Sequence, residues 1–141
     1  MKSAGSLMAC LLAGCWLLSQ VLPVAVTNNE EVKGWTVLLS GWLGPFAGQF
    51  GWFANPVFAI SIPLVAGGPR AARANGIAAA ALLLLTASAF TWHDLQFDMG
   101  KEQIRSFGPG YYLWFLAMFG AAAAMIRNAM AAETKGAGAE D

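Results

Sequence analysis

Residues 74–92 read ANGIAAAALLLLTASAFTW, nineteen positions without an Asp, Glu, Lys or Arg, entered beside Arg70 and Arg73 and left at His93-Asp94. A spanning helix needs about 20 mostly apolar residues, because its backbone must satisfy itself across roughly 30 Å of hydrocarbon where no water reaches. This stretch meets that requirement with basic and acidic flanks at opposite ends. Working outward, the same test divides the rest of the chain. The charged side chains fall into clusters, and the gaps 3–29, 34–69 and 106–126 are also free of them. The spacing predicts an all-α fold: one integral membrane domain over 1–141, with four transmembrane helices at about 4–26, 49–66, 74–92 and 111–126. Residues 127–141 form a short cytoplasmic tail.

Composition agrees. Apolar residues make up 57% and charged ones 11% of 141 residues, against a charged share of about 25% in soluble proteins, so no separate soluble domain fits. Net charge is zero and no basic run occurs, which excludes the electrostatic footprint of a nucleic-acid binder. With the N-terminus inside, Lys2, Arg70, Arg73, Arg127 and Lys135 lie on the inner side, and Lys33, Lys101 and Arg105 on the outer. That bias favours both termini in the cytoplasm. Trp35, Trp92, Tyr111, Tyr112 and Trp114 flank the two outer loops, as an interfacial belt or as packing residues.

The second gap is too long for one simple crossing. Trp35 to Ala66 would extend about 48 Å as continuous helix. Pro45, Pro56 and Pro63 remove backbone donors, and Gly44-Pro45 is the natural soft point. The expected arrangement is an interfacial or re-entrant segment over 35–46 followed by a crossing over 49–66; a single tilted, kinked helix is the alternative. Gly34, Gly41 and Gly48 recur every seven residues, with Gly44 and Gly51 between them. On a helix these positions share a stripe, and Gly44 with Gly48 makes a small-xxx-small pair that lets two helix backbones approach closely. Intramolecular packing is one use for Gly41, Gly44, Gly48 and Gly51; contact with a second copy or a membrane-protein partner is the other.

Polar side chains within the apolar stretches are few. Asn55 precedes Pro56, and an amide there can fill the hydrogen-bonding gap left by the missing N–H or face a ligand. Gln20 and Gln49 are comparable amides near the outer ends of their segments. Together the three could line a small polar cavity. At the N-terminus, Leu12-Ala13-Gly14-Cys15 spells a lipobox, but the apolar run continues through Val26, so a retained helix is the expected reading and cleavage before Cys15 the alternative. Cys10 and Cys15 point to different faces of one helix, beyond disulfide reach.

Residues 93–105 hold the densest set of functional groups. His93, Asp94 and Asp98 could in principle bind a metal or run acid/base chemistry, but a helical turn would align the carboxylates while turning the imidazole away. A hydrated loop is expected. No ionisable residue sits within a predicted span, as coupled transporters usually require, and no nucleophile elbow, zinc-protease motif or phosphate-binding loop occurs. No cofactor or metal is therefore expected.

Leu22-Pro23, Gly41-Trp42-Leu43-Gly44, Gly51-Trp52-Phe53-Ala54-Asn55-Pro56 and Gly108-Pro109-Gly110-Tyr111-Tyr112-Leu113-Trp114 are similar to motifs in a group of small bacterial four-helix inner-membrane proteins without assigned function. The resemblance implies location and helix number, and no activity. The expected role is a non-catalytic small subunit or accessory protein acting through helix–helix packing. Alternatives are a transporter or channel for a small uncharged or zwitterionic solute, and a membrane-embedded enzyme using the outer-face His93, Asp94 and Asp98.

Overall fold

The computed structural model describes residues 4–28, 30–97 and 100–137. The chain is mostly helical and carries a small antiparallel sheet. In order, the elements are α1 (Ala4–Val21), β1 (Pro23–Thr27), β2 (Glu31–Lys33), α2 (Gly34–Ser40), 3-10 turns at Gly41–Ala47 and Gly51–Phe53, α3 (Ala54–Gly67), a 3-10 turn at Gly68–Ala71, α4 (Ala72–Ser88), a 3-10 turn at Ala89–Thr91, β3 (Asp94–Phe97), β4 (Gly100–Phe107) and α5 (Pro109–Ala137).

Three helical stretches, Ala4–Val21, Gly51–Thr91 and Pro109–Thr134, are long and apolar enough to cross a membrane. The middle one contains both α3 and α4. The chain reverses between them at Gly68, whose φ of 68° is a conformation glycine adopts without a Cβ penalty, and α3 packs back against α4. Helices α1, α3, α4 and α5 enclose one core, with Leu12, Phe58, Val65, Leu82, Met118 and Met125 buried in it. Ala117, Ala121 and Ala122 are fully buried on α5, so small side chains let its neighbours approach closely. The outward faces carry Leu11, Leu17, Ile60, Ile77, Leu84, Leu116 and Met130 exposed.

The sheet corrects the all-α expectation. Helix α1 ends at Val21 rather than near 26, because Pro23 has no N–H to continue the ladder. Val24, Val26 and Thr27 then favour an extended strand. Asp94–Phe97 and Gly100–Phe107 pair as antiparallel strands where a plain hydrated loop was expected, with Asp94 opposite Gln103 and Gln96 opposite Lys101. Strand order is β2-β1-β4-β3. The central β1–β4 pair sets Ala25 against Phe107, and Ala25, Val32 and Leu95 form a second small core under the sheet. The sheet caps the end of the helix assembly where α1 and α4 finish and α3 and α5 begin.

Residues 34–67 form two separate helices. After α2 and its 3-10 continuation the chain turns at Gly48, φ 73°, and re-enters helix through Gly51–Phe53. At the far end, α5 continues to Ala137, well beyond the expected stop at 126; a charge such as Arg127 ends an apolar span without ending a helix.

Thr86 marks an imperfect position in the core. Thr86 on α4 is fully buried, and its Oγ1 has no hydrogen-bond partner among the described residues. A buried, unpaired hydroxyl costs about 1–3 kcal/mol. Thr86→Val keeps the shape and removes the hydroxyl, so it should raise stability by about 1 kcal/mol, seen as a higher midpoint of thermal unfolding in detergent. A lower midpoint would mean that the hydroxyl has a partner.

Candidate functional site

The sheet and α2 cover a polar seam among the helix ends. At its centre is Asn55, one residue into α3. Its Oδ1 accepts from Trp16 Nε1 of α1 at 2.9 Å and from Trp114 Nε1 of α5 at 3.0 Å. Its Nδ2 donates to the Trp52 carbonyl at 2.9 Å. In a helix that carbonyl would accept from the N–H of residue 56, and Pro56 has none. One amide therefore repairs the proline gap and joins three helices. Trp16 also stacks on Phe58, and Trp114 on Trp92.

Beside Asn55 lies a cavity of about 40 Å3, lined in part by Ser19, Gln20, Val37, Trp52, Trp92 and Tyr111. Such a space has room for about one to three waters. Its polar side chains are largely engaged: Ser19 Oγ donates to the Trp16 carbonyl at 2.6 Å, and Gln20 Nε2 donates to the same carbonyl at 3.0 Å and to Ser19 Oγ at 2.8 Å. Trp92 Nε1 is the exception, buried without a partner among the described residues.

Of the three amides expected to share a cavity, the structure brings Gln20 and Asn55 together. Gln49 lies elsewhere: its Nε2 donates to the Asp94 carbonyl at 2.7 Å, fastening the turn before α3 to β3. Trp52 Nε1 similarly donates to the Leu38 carbonyl at 2.8 Å, holding α2 down.

The glycines do not form one helical stripe. Gly41 and Gly44 lie in the 3-10 segment, Gly48 at the turn and Gly51 in the following 3-10 turn. A Cβ at Gly41 would collide with the Trp52 ring, at Gly44 it would come within 2.6 Å of the Gln49 carbonyl oxygen, and at Gly51 within 2.9 Å of Trp92. These three positions allow close approach inside the chain. Gly48 has open space around it.

His93 is exposed and Asp94 half-buried at the edge of the hairpin, while Asp98 lies outside the described residues. Among the described residues no group of three or more His, Cys, Asp or Glu could hold a metal ion. Cys10 and Cys15 are free thiols on α1.

The residues that sequence reasoning missed are the indole donors Trp16 and Trp114. They are 39 and 59 positions from Asn55, and an Asn next to Pro within an apolar run was the available signal that donors must converge on it. The expected aromatic belt divides: Trp35 and Tyr112 are exposed, whereas Tyr111 and Trp114 are buried packing residues. No family model, curated protein or solved structure matches this chain.

Proposed function

We propose that this chain is a non-catalytic protein of the bacterial inner membrane, crossing it four times through α1, α3, α4 and α5 with both termini in the cytoplasm, and serving as a subunit or accessory protein for another membrane protein. The single observation that carries the partner reading is the surface of residues 35–53. Trp35, Leu39, Trp42, Phe46, Phe50 and Phe53 are all exposed there, Phe46 to 85%. Aromatic anchors of this kind supply most of the energy in protein interfaces. The glycines of the same segment are used for internal close approach, so recognition falls to the aromatic side chains. Hydrogen bonding within the seam argues in the same direction, since a solute path there would have to break all three bonds at Asn55. The four crossings are supported by the apolar outward faces and by the Lys and Arg bias toward the end opposite the sheet.

The test is photocrosslinking in living cells from Leu39, Trp42 or Phe46, the exposed positions; Val37 is half-buried against the cavity and would report poorly. One reproducible heterologous membrane protein, with capture reduced at least about tenfold by Phe46→Asp as removal of an interface anchor implies, is the expected result. Capture of lipid alone, or of the same chain alone, sinks the accessory reading.

A further inference from the structure

At the end of the helices opposite the sheet, the first turn of α1, the last turn of α3, the turn that follows it and the distal part of α5 surround an open pocket of about 660 Å3. Its size is that of a small-ligand site. Arg70 and Arg127 both line it. They end the charge-free runs 34–69 and 106–126, so both mark the same boundary between hydrocarbon and water. Among the described residues no carboxylate lines the pocket.

A second observation points to a ligand. Asn128 lines the pocket, is only 6% exposed, and has an Nδ2 without a hydrogen-bond partner among the described residues. A buried donor left unpaired is costly, and two guanidinium groups beside it make an acceptor with negative charge the natural complement. The wall is preorganised as well. Asn75, fully buried at the start of α4, donates through Nδ2 to the Gly68 carbonyl at 3.3 Å and the Ala71 carbonyl at 3.0 Å, which fixes the turn carrying Arg70. One feature opposes an anion: the carbonyl end of α3 is nearby, with a partial charge of about −0.5. Two full positive charges outweigh it.

Arg127 also borders a shallow, largely apolar face of α5 made by Ala123, Ile126, Met130 and Ala131, with Thr134 at its far end. Ala123 and Ile126 lie on the membrane side of Arg127. A polar pocket at the boundary that continues onto an exposed apolar helix face matches a molecule with an anionic head and a hydrocarbon chain.

We propose that this pocket binds an anionic phospholipid, with its phosphodiester between Arg70, Arg127 and the Asn128 amide and an acyl chain against Ala123 and Ile126. The proposal rests on the membrane reading above and is independent of the partner reading. A free phosphate could satisfy the same polar groups, and the test separates the two.

Full-length protein purified in mild detergent is titrated with dioleoyl phosphatidylglycerol, dioleoyl phosphatidylcholine or inorganic phosphate, and followed by native mass spectrometry and thermal unfolding. Phosphatidylglycerol should bind at least about tenfold more tightly than phosphatidylcholine and raise the unfolding midpoint, as expected for charge-assisted bonds. Arg70→Gln with Arg127→Gln should remove that preference while leaving the lipid-free midpoint unchanged, since both side chains are exposed. Asn128→Leu should weaken phosphatidylglycerol binding severalfold, and Arg105→Gln at the opposite end should do nothing. Equal binding of the two lipids, or an unaltered preference in the double variant, overturns the proposal. So does a midpoint that rises equally with inorganic phosphate and gains nothing from the lipid, which would identify a free-anion site. Failure of the membrane reading is distinguishable, because the protein would then be recovered from cells without detergent.

Discussion

Asn55→Leu should lower the stability of the detergent-solubilised protein by about 2–4 kcal/mol, the largest effect expected from any single polar side chain in the fold. The substitution keeps the branched outline but removes an acceptor shared by two indoles and the donor that satisfies the Trp52 carbonyl. Each bond between membrane helices contributes only about 0.6 kcal/mol on average. The excess comes from stranding Trp16 Nε1 and Trp114 Nε1 in an apolar site, at about 1–3 kcal/mol for each buried unpaired donor. A double-mutant cycle isolates this coupling. Trp114→Phe should cost more in the native background than in Asn55→Leu, with a coupling energy of about 1 kcal/mol. Thermal unfolding or equilibrium denaturation supplies the numbers. A loss below about 0.5 kcal/mol for Asn55→Leu, the level of an ordinary surface change, would show that the three bonds do not hold the helices together.

Gly34→Ala should cost about 2–3 kcal/mol, a large penalty for one methyl group. A Cβ at this position would overlap the Ser19 carbonyl oxygen and lie 2.7 Å from Gln20 Cα, both backbone atoms of α1. Neither can rotate aside, so α2 would have to lift. Lifting breaks the Gly34 N–H bond to the Leu22 carbonyl, 3.1 Å, and strains the Trp52 bond to Leu38. Gly14→Ala is the matched control. It lies on α1, the helix against which Gly34 packs, with nothing within 4 Å of the added carbon, and helix propensity alone should make it stabilising by up to about 1 kcal/mol. Unfolding midpoints of the two variants therefore should move in opposite directions; a harmless Gly34→Ala would mean that α2 is not seated on α1.

These expectations also show where the sequence was readable. Helix α4 with its 3-10 end covers residues 72–91, close to the charge-free run 74–92, because the turn at Gly68–Ala71 and the strand that begins at Asp94 both lie just outside the run, at the charges that bound it. The strand at 23–27 was hidden by the same rule. Val24, Ala25 and Val26 are as apolar as a helix end, and only Pro23 with the β-branched residues after it signalled extended backbone. At the other terminus, Arg127 marked a solvent boundary that α5 passes through. The pair β3–β4 was obscured because Asp94-Leu95-Gln96-Phe97 offers only the minimum four residues of alternation, and Gly100–Phe107 does not alternate. For the seam, Asn55 was visible as an isolated polar residue beside a proline. Its donors were not, because helix packing, rather than spacing along the chain, brings Trp16 and Trp114 to it. The pocket at the end opposite the sheet was equally hidden. Arg70 and Arg127 read separately as topology markers, and only the folded chain places them around the amide of Asn128.

The pairing of β1 with β4 also sets an order of events during synthesis. Ala25 meets Phe107, and 107 minus 25 is 82 residues of chain. At about 5–20 residues per second, β1 waits roughly 4–16 s for its partner. Until then one edge of β1 is open to strand addition, and the α1 surface that receives α5 is bare. The first hairpin can form early, but closure of the sheet coincides with delivery of the final helix. A chain cut short before β4 would keep that strand edge and that helix face uncovered.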